Sequence, residues 1–202
     1  MLHLASGGHA MKIVILDRNG TINVHREDFV KSDVEWTPLP GALEAIARLN
    51  HAGWLVAIAS NQSGLGRGLF DMASLNAMHA KMHKMLAAVG GRVDAVFFCP
   101  HAPDEGCNCR KPKPGLFQQI SERYGIDIAG MPAVGDSLRD MLAGQAAGCE
   151  PHLLLTHIGA ADLGKGPLPP EYPPGTRVHD DLPAFVEFLL AREAQQAGIV
   201  SA

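Results

Sequence analysis

"ILDRNGTIN", Ile15 to Asn23, decides the reading of this chain. The apolar run from Met11 to Leu16 has the pattern of a strand buried on both faces, and it ends in an acid, Asp17, ahead of a turn at Gly20. A strand that hands a carboxylate to a turn is either capping a helix or building a site. The other strand ends distinguish the two.

Working outward, apolar runs alternate with helical patterns. Strands are expected at Lys12 to Leu16, Trp54 to Ala59, Asp94 to Phe98, Met131 to Val134 and His152 to Leu155. Helices are expected at Gly41 to His51, Asp71 to Val89, Pro114 to Tyr124, Leu138 to Ala147 and Leu182 to Arg192, with Asp71 as an N-cap. This alternation predicts a central parallel sheet covered on both faces. Gly159 to Thr176, rich in glycine and proline, reads as a surface loop. Residues 11–192 form one expected domain. Met1 to Ala10 reads as a disordered leader and residues 193–202 as a tail.

In an α/β sheet, ligands gather where strands end at their carboxyl edge. There the chain offers Asp17, then Ser60-Asn61-Gln62-Ser63-Gly64, then Arg110-Lys111-Pro112, then Gly135-Asp136-Ser137. Two carboxylates, a hydroxyl, an amide and two cations are the parts needed for phosphoryl transfer: a nucleophile, metal ligands and donors to phosphate oxygens. Asp17 and Asp136 supply oxygen ligands suited to Mg²⁺, and Lys111 a point charge.

A second cluster is "CPHAPDEGCNC". Cys99, His101, Cys107 and Cys109 have the types and spacing of a closed tetrahedral Zn²⁺ site. With every position filled, such an ion has a mechanical role, fixing the loop that carries Arg110 and Lys111. Cys149 is expected to be a core thiol.

Together, Asp17-Arg18-x-Gly20-Thr21, Ser60-Asn61, Lys111-Pro112 and Gly135-Asp136-Ser137 resemble the four motifs of the haloacid dehalogenase superfamily, and within it most closely the heptose bisphosphate 7-phosphatases. The resemblance runs from about Met11 to Leu190. It implies a Rossmann-like three-layer sandwich with a central parallel sheet and no large cap domain. It implies Mg²⁺-dependent removal of the 7-phosphate of a heptose 1,7-bisphosphate through an aspartyl phosphate on Asp17, with Mg²⁺ held by Asp17, the Asn19 main-chain carbonyl and Asp136. The cysteine-histidine loop resembles that of the same enzymes and of histidinol-phosphate phosphatases. The substrate-binding residues expected are Arg18, Ser60, Asn61, Arg67 and Arg110, with Asp17, Asn19 and Lys111 catalytic. Arg67, in the glycine-rich "SNQSGLGRGLF", could grip a second phosphate with Arg110, which favours a bisphosphate over histidinol phosphate.

One residue departs from the superfamily's pattern. The position two after the nucleophile is usually an aspartate that protonates the leaving oxygen; here it is Asn19. Three readings compete: an engineered substitution that traps a ligand, which is preferred; a natural enzyme that is slow or otherwise assisted; or a non-catalytic sugar-phosphate-binding relative. In each, fold and Mg²⁺ binding survive a near-isosteric change.

Bulk properties close off other classes. A net charge of −4 argues against nucleic acid, and no apolar run reaches the roughly 20 residues that span a bilayer. A monomer in the cytoplasm acting on a small sugar bisphosphate is the expectation.

Overall fold

A computed structural model describes residues 11–157 and 166–200. The leader expected at Met1 to Ala10 lies outside them, as does part of the loop expected at Gly159 to Thr176. The architecture is the expected three-layer sandwich. Six strands form one parallel sheet: β1 (Lys12–Leu16), β2 (Trp54–Asn61), β3 (Ala95–Cys99), β4 (Pro132–Gly135), β5 (Glu150–Leu154) and β6 (Arg177–His179), in the order β3-β2-β1-β4-β5-β6. The helices are α1 (Ala42–His51), α2 (Ser63–Gly66), α3 (Met72–Ala88), α4 (Gly115–Tyr124), α5 (Leu138–Ala146) and α6 (Leu182–Val200).

Each strand is short and apolar because both faces are covered. On one face Val14, Leu16, Val56 and Ile58 pack with Ile46 of α1, Met78 of α3 and Phe185 of α6. On the other, Ile13, Ile15, Ala57 and Ala59 pack with Phe117 and Ile120 of α4 and Ala143 of α5. Strand order turns back at β1, which lies between β2 and β4. That switch point is where a crevice opens at the carboxyl edge of such a sheet, and Asp17 and Asp136 sit beyond its two strands. Among the described residues, no insertion of domain size interrupts the sandwich.

Two elements were not anticipated. Helix α2 is one turn inside the loop after β2, and β6 is a three-residue edge strand, both too short to show a period. A third difference concerns the end of the chain. Residues 193–202 were expected to be a tail, but α6 runs on to Val200. Glu193 explains the extension: its carboxylate accepts from Trp54 Nε1 at 2.9 Å and from Lys12 Nζ at 2.8 Å, tying the helix to the starts of β1 and β2. Cys149 is buried as expected, its thiol donating to the Ile128 carbonyl at 3.4 Å.

Replacing Glu193 with alanine leaves the Trp54 indole N–H without its acceptor. The expected cost is about 1–2 kcal/mol, because the half-exposed Lys12 pair adds little to the lost hydrogen bond. Urea unfolding of the variant against the parent checks this.

Candidate active site

Four strand ends bring the predicted residues together, and Lys111 sits at their centre. Its ammonium is buried and donates to Asp17 Oδ1 at 2.8 Å and to the Ala59 carbonyl at 2.6 Å, and it pairs with Asp140 Oδ1 at 2.6 Å. Burial alone would push Lys111 down, but Asp140 and Asp17 outweigh it and hold the ammonium above the ordinary lysine value. Asp17 is raised by burial despite the pull of Lys111. Burial works to raise Asp140 too, yet Lys111 and Ser137 hold it below the usual carboxylate range.

Asp136 has no such partner. It is buried, and neither carboxylate oxygen has a hydrogen-bond partner among the described residues. Burial, with the charges of Asp140 and Asp17, pushes it up to about 8. Carboxylate oxygens of Asp17, Asp136 and Asp140 lie within 4.8 Å of one another. Buried oxygens without partners, beside a second carboxylate, fit a hard divalent cation such as Mg²⁺. Gly20 makes room for this. Its φ is +76°, and a Cβ there would stand 2.0 Å from Asp136 Oδ2.

The loops are locked to one another. Asn61 accepts from the Lys111 N–H and donates one amide hydrogen to the Lys111 carbonyl, both at 3.1 Å, so it positions the lysine, and it also lines the cavity. Ser60 is buried, and its oxygen accepts from Gln62 Nε2 at 2.6 Å, which leaves its own proton to donate. Arg18 was expected to contact substrate. It is buried outside the lining of the cavity, and burial lowers it to about 10. Its guanidinium donates to Asn19 Oδ1 at 3.3 Å and to Gln62 Oε1 at 3.1 Å, positioning both.

Over these residues opens a cavity of about 320 Å³, lined by Asp17, Asn19, Lys111 and four arginines, Arg26, Arg67, Arg110 and Arg139. Arg67 and Arg110 were expected there. Arg67 is held 5.7 Å over the Phe29 ring. Arg139 was missed, although its place in the first turn of α5, three residues after Asp136, was a usable signal. His25 and Gln62 also line the cavity and were not singled out as site residues. Asn19 Oδ1 accepts from Arg18 and from Asn23 Nδ2, so its remaining group is an amide that donates hydrogen bonds but transfers no proton.

The cysteine loop lies beside the cavity. Cys99 Sγ is 3.6 Å from Cys107 Sγ and 3.5 Å from His101 Nδ1, and Cys109 Sγ is 3.3 Å from that nitrogen. Zinc bonds of about 2.3 Å to sulfur and 2.0–2.1 Å to nitrogen demand tetrahedral edges of roughly 3.5–3.8 Å, so the donor set fits. The loop also abuts the turn that carries Arg67: a Cβ on Gly66 would lie 2.6 Å from Ala102 N and Pro100 O.

A family model described as HAD-hydrolase-like matches residues 108–184. The D-glycero-β-D-manno-heptose-1,7-bisphosphate 7-phosphatase of Bordetella bronchiseptica is 57% identical over 180 residues, covering 89% of this chain and 98% of the relative. The chain belongs to the D-glycero-β-D-manno-heptose-1,7-bisphosphate 7-phosphatase family. The Pseudomonas aeruginosa member is 50% identical over 88% of this chain and 97% of its own length. A crystal structure of the B. bronchiseptica D,D-heptose 1,7-bisphosphate phosphatase, complexed with magnesium and phosphate, superposes with a TM-score of 0.85 at 56% identity, over 90% of this chain and 99% of that one. Family membership makes the chain a phosphoric monoester hydrolase of haloacid dehalogenase type.

In magnesium-free buffer, folded Asp136, its pKa pushed up to about 8, keeps its proton through the range above 3.8, the ordinary aspartate value near which the unfolded chain releases it. The folded state therefore binds more protons between those values, and stability falls as pH rises through that window. Asp136→Asn removes this contribution. Unfolding midpoints near pH 5 and pH 8 should therefore differ less in the variant than in the parent.

Proposed function

We propose that this protein removes the 7-phosphate from D-glycero-β-D-manno-heptose 1,7-bisphosphate, with Asp17 as nucleophile and Mg²⁺ held by Asp17, Asp136 and the Asn19 carbonyl. The observation that carries the proposal is the pairing of a cavity-facing carboxylate, fixed by buried Lys111, with a buried carboxylate whose oxygens have no partner. The relatives' activity and the magnesium and phosphate in the B. bronchiseptica structure support it.

When bound, Mg²⁺ would supply charge neutralisation between carboxylate and phosphate. The chain's residues do the rest. An Asp17 oxygen attacks phosphorus in line, the P–O bond to C7 breaks, and an acyl phosphate forms on Asp17. Lys111 orients that carboxylate, and buried Ser60 accepts from Gln62 and so holds that cavity-lining side chain in place. Arg67 and Arg110, from adjoining loops, grip the 1-phosphate; buried Arg110 NH1 lacks a partner. Water then attacks the phosphorus of the acyl phosphate, releasing inorganic phosphate and restoring Asp17.

Both steps need a proton moved, and Asn19 cannot move one. General acid-base catalysis is typically worth about 10²–10⁴-fold. A carboxylate at position 19 would meet the same donors, Arg18 and Asn23, without rearrangement. Asn19→Asp should therefore raise kcat by about 10²-fold or more while phosphate affinity stays within a few-fold, read by phosphate release from the heptose bisphosphate. Equal turnover would remove Asn19 from the acid-base position. Turnover by neither form would favour the second reading, a protein that binds sugar phosphates without hydrolysing them.

We also propose Zn²⁺ at Cys99, His101, Cys107 and Cys109, holding Arg110 and Lys111 in place and buttressing the turn of Arg67. Cys107→Ser with the zinc removed should weaken inorganic phosphate binding by about tenfold or more, because the cations lose their order. Calorimetric titration, with metal content measured in parallel, checks this.

A further inference from the structure

Beyond the carboxylates, a second group of metal-binding side chains meets at Asp136. The rings of His25, from the loop after β1, and His157, from the loop after β5, stack with centroids 4.0 Å apart and planes 19° apart. One donor atom from each lies within 4.8 Å of the other and of an Asp136 oxygen. The segment is anchored next door, where the Thr156 hydroxyl donates to the Gly20 carbonyl. Gly20 in turn presses on Asp136. Both oxygens of that buried carboxylate are without partners, so the shared ligand is itself aimed at an ion.

We infer that His25 and His157 add two nitrogen ligands to the oxygen site at Asp136, so that this protein takes a transition-metal dication such as Ni²⁺ or Co²⁺ more tightly than its carboxylates alone would. The inference rests on Asp136 being a metal ligand.

Three physical points support it. An octahedral ion with bonds near 2.1 Å sets neighbouring donors roughly 3 Å apart, so these three, now within 4.8 Å of one another, need to close by up to about 1.8 Å. The stacked rings must fan apart to aim their lone pairs at one ion, and χ2 of histidine is a broad, soft torsion. Imidazole nitrogen favours Ni²⁺ and Co²⁺ over Mg²⁺, which prefers oxygen and gives up its water reluctantly. The opposing charges are Arg139, which acts on His25 as well as on Asp136, and Lys111, which acts on Asp136, while Glu27 acts on His25 in the favourable sense. The carboxylates of Asp17 and Asp140 add to the favourable side.

The test is calorimetric, on the full chain loaded with zinc and freed of magnesium, titrated separately with NiCl₂ and MgCl₂. The proteins are the parent, His25→Ala, His157→Ala and Asp136→Asn, each checked by circular dichroism for a folded state. His157 is exposed, so its replacement keeps the test available if the His25 variant fails to fold. The expected result is Ni²⁺ binding weakened by roughly tenfold or more in the histidine variants, with Mg²⁺ binding changed less than about threefold. Unchanged Ni²⁺ binding in both, with Mg²⁺ lost in Asp136→Asn, overturns the inference and leaves the phosphatase metal site standing. Parallel loss of Ni²⁺ and Mg²⁺ in the histidine variants also overturns it, since the imidazoles would then be shaping the loop and not ligating. Retention of both ions by Asp136→Asn defeats this inference and the metal reading beneath it.

Discussion

Lys111 Nζ lies between Asp17 and Asp140, paired with both and donating to the Ala59 carbonyl, and all of these side chains are buried. A buried ammonium is tolerated only when its charge and its three donors are satisfied, and here two carboxylates and a carbonyl do so. The lysine comes from the loop after β3, the carbonyl from β2, and the carboxylates from the end of β1 and the start of α5. One cation therefore fixes the relative position of four segments, and removing it would leave two buried anions facing each other.

Three carboxylates, Asp17, Asp136 and Asp140, meet here against the buried ammonium of Lys111 and the guanidinium charges of Arg18 and Arg139. Burial, together with the charges of Asp140 and Asp17, pushes the Asp136 carboxyl up to about 8 despite Arg139 and Lys111. Asp17, Asp136, Asp140 and Lys111 are thus one electrostatic unit, on which Arg139 from the cavity lining also acts.

Much of this was readable in the letters. Strands buried on both faces leave unbroken apolar runs, and a parallel sheet puts their carboxyl ends on one edge. Asp17, Lys111 and Asp136 could therefore be assigned to one place from spacing alone. Cys99, His101, Cys107 and Cys109 lie close in the chain, and their clustering was equally legible. What could not be read depended on contacts between distant segments. Arg18 looked like a phosphate ligand, yet it turns inward because Asn19 and Gln62 offer acceptors beneath the site. Asn61 read as a neutral donor, and its two bonds to the Lys111 backbone, which tie the loops together, could not be read from the letters. The continuation of α6 depends on Glu193 meeting Trp54 and Lys12 across the sheet, and nothing local in the sequence announces it. The histidine pair at Asp136 joins loops far apart in the chain and was invisible for the same reason.

The central claim is that Asp17, held by Lys111, takes the phosphoryl group. A single turnover with heptose bisphosphate labelled in the 7-phosphate, quenched in acid and mapped by peptide mass spectrometry, tests it most directly. The account predicts label on the peptide containing Asp17, in the Asn19 chain and in Asn19→Asp, and none after Asp17→Asn. Inorganic phosphate released without any labelled protein, and at the same rate by Asp17→Asn, would contradict it.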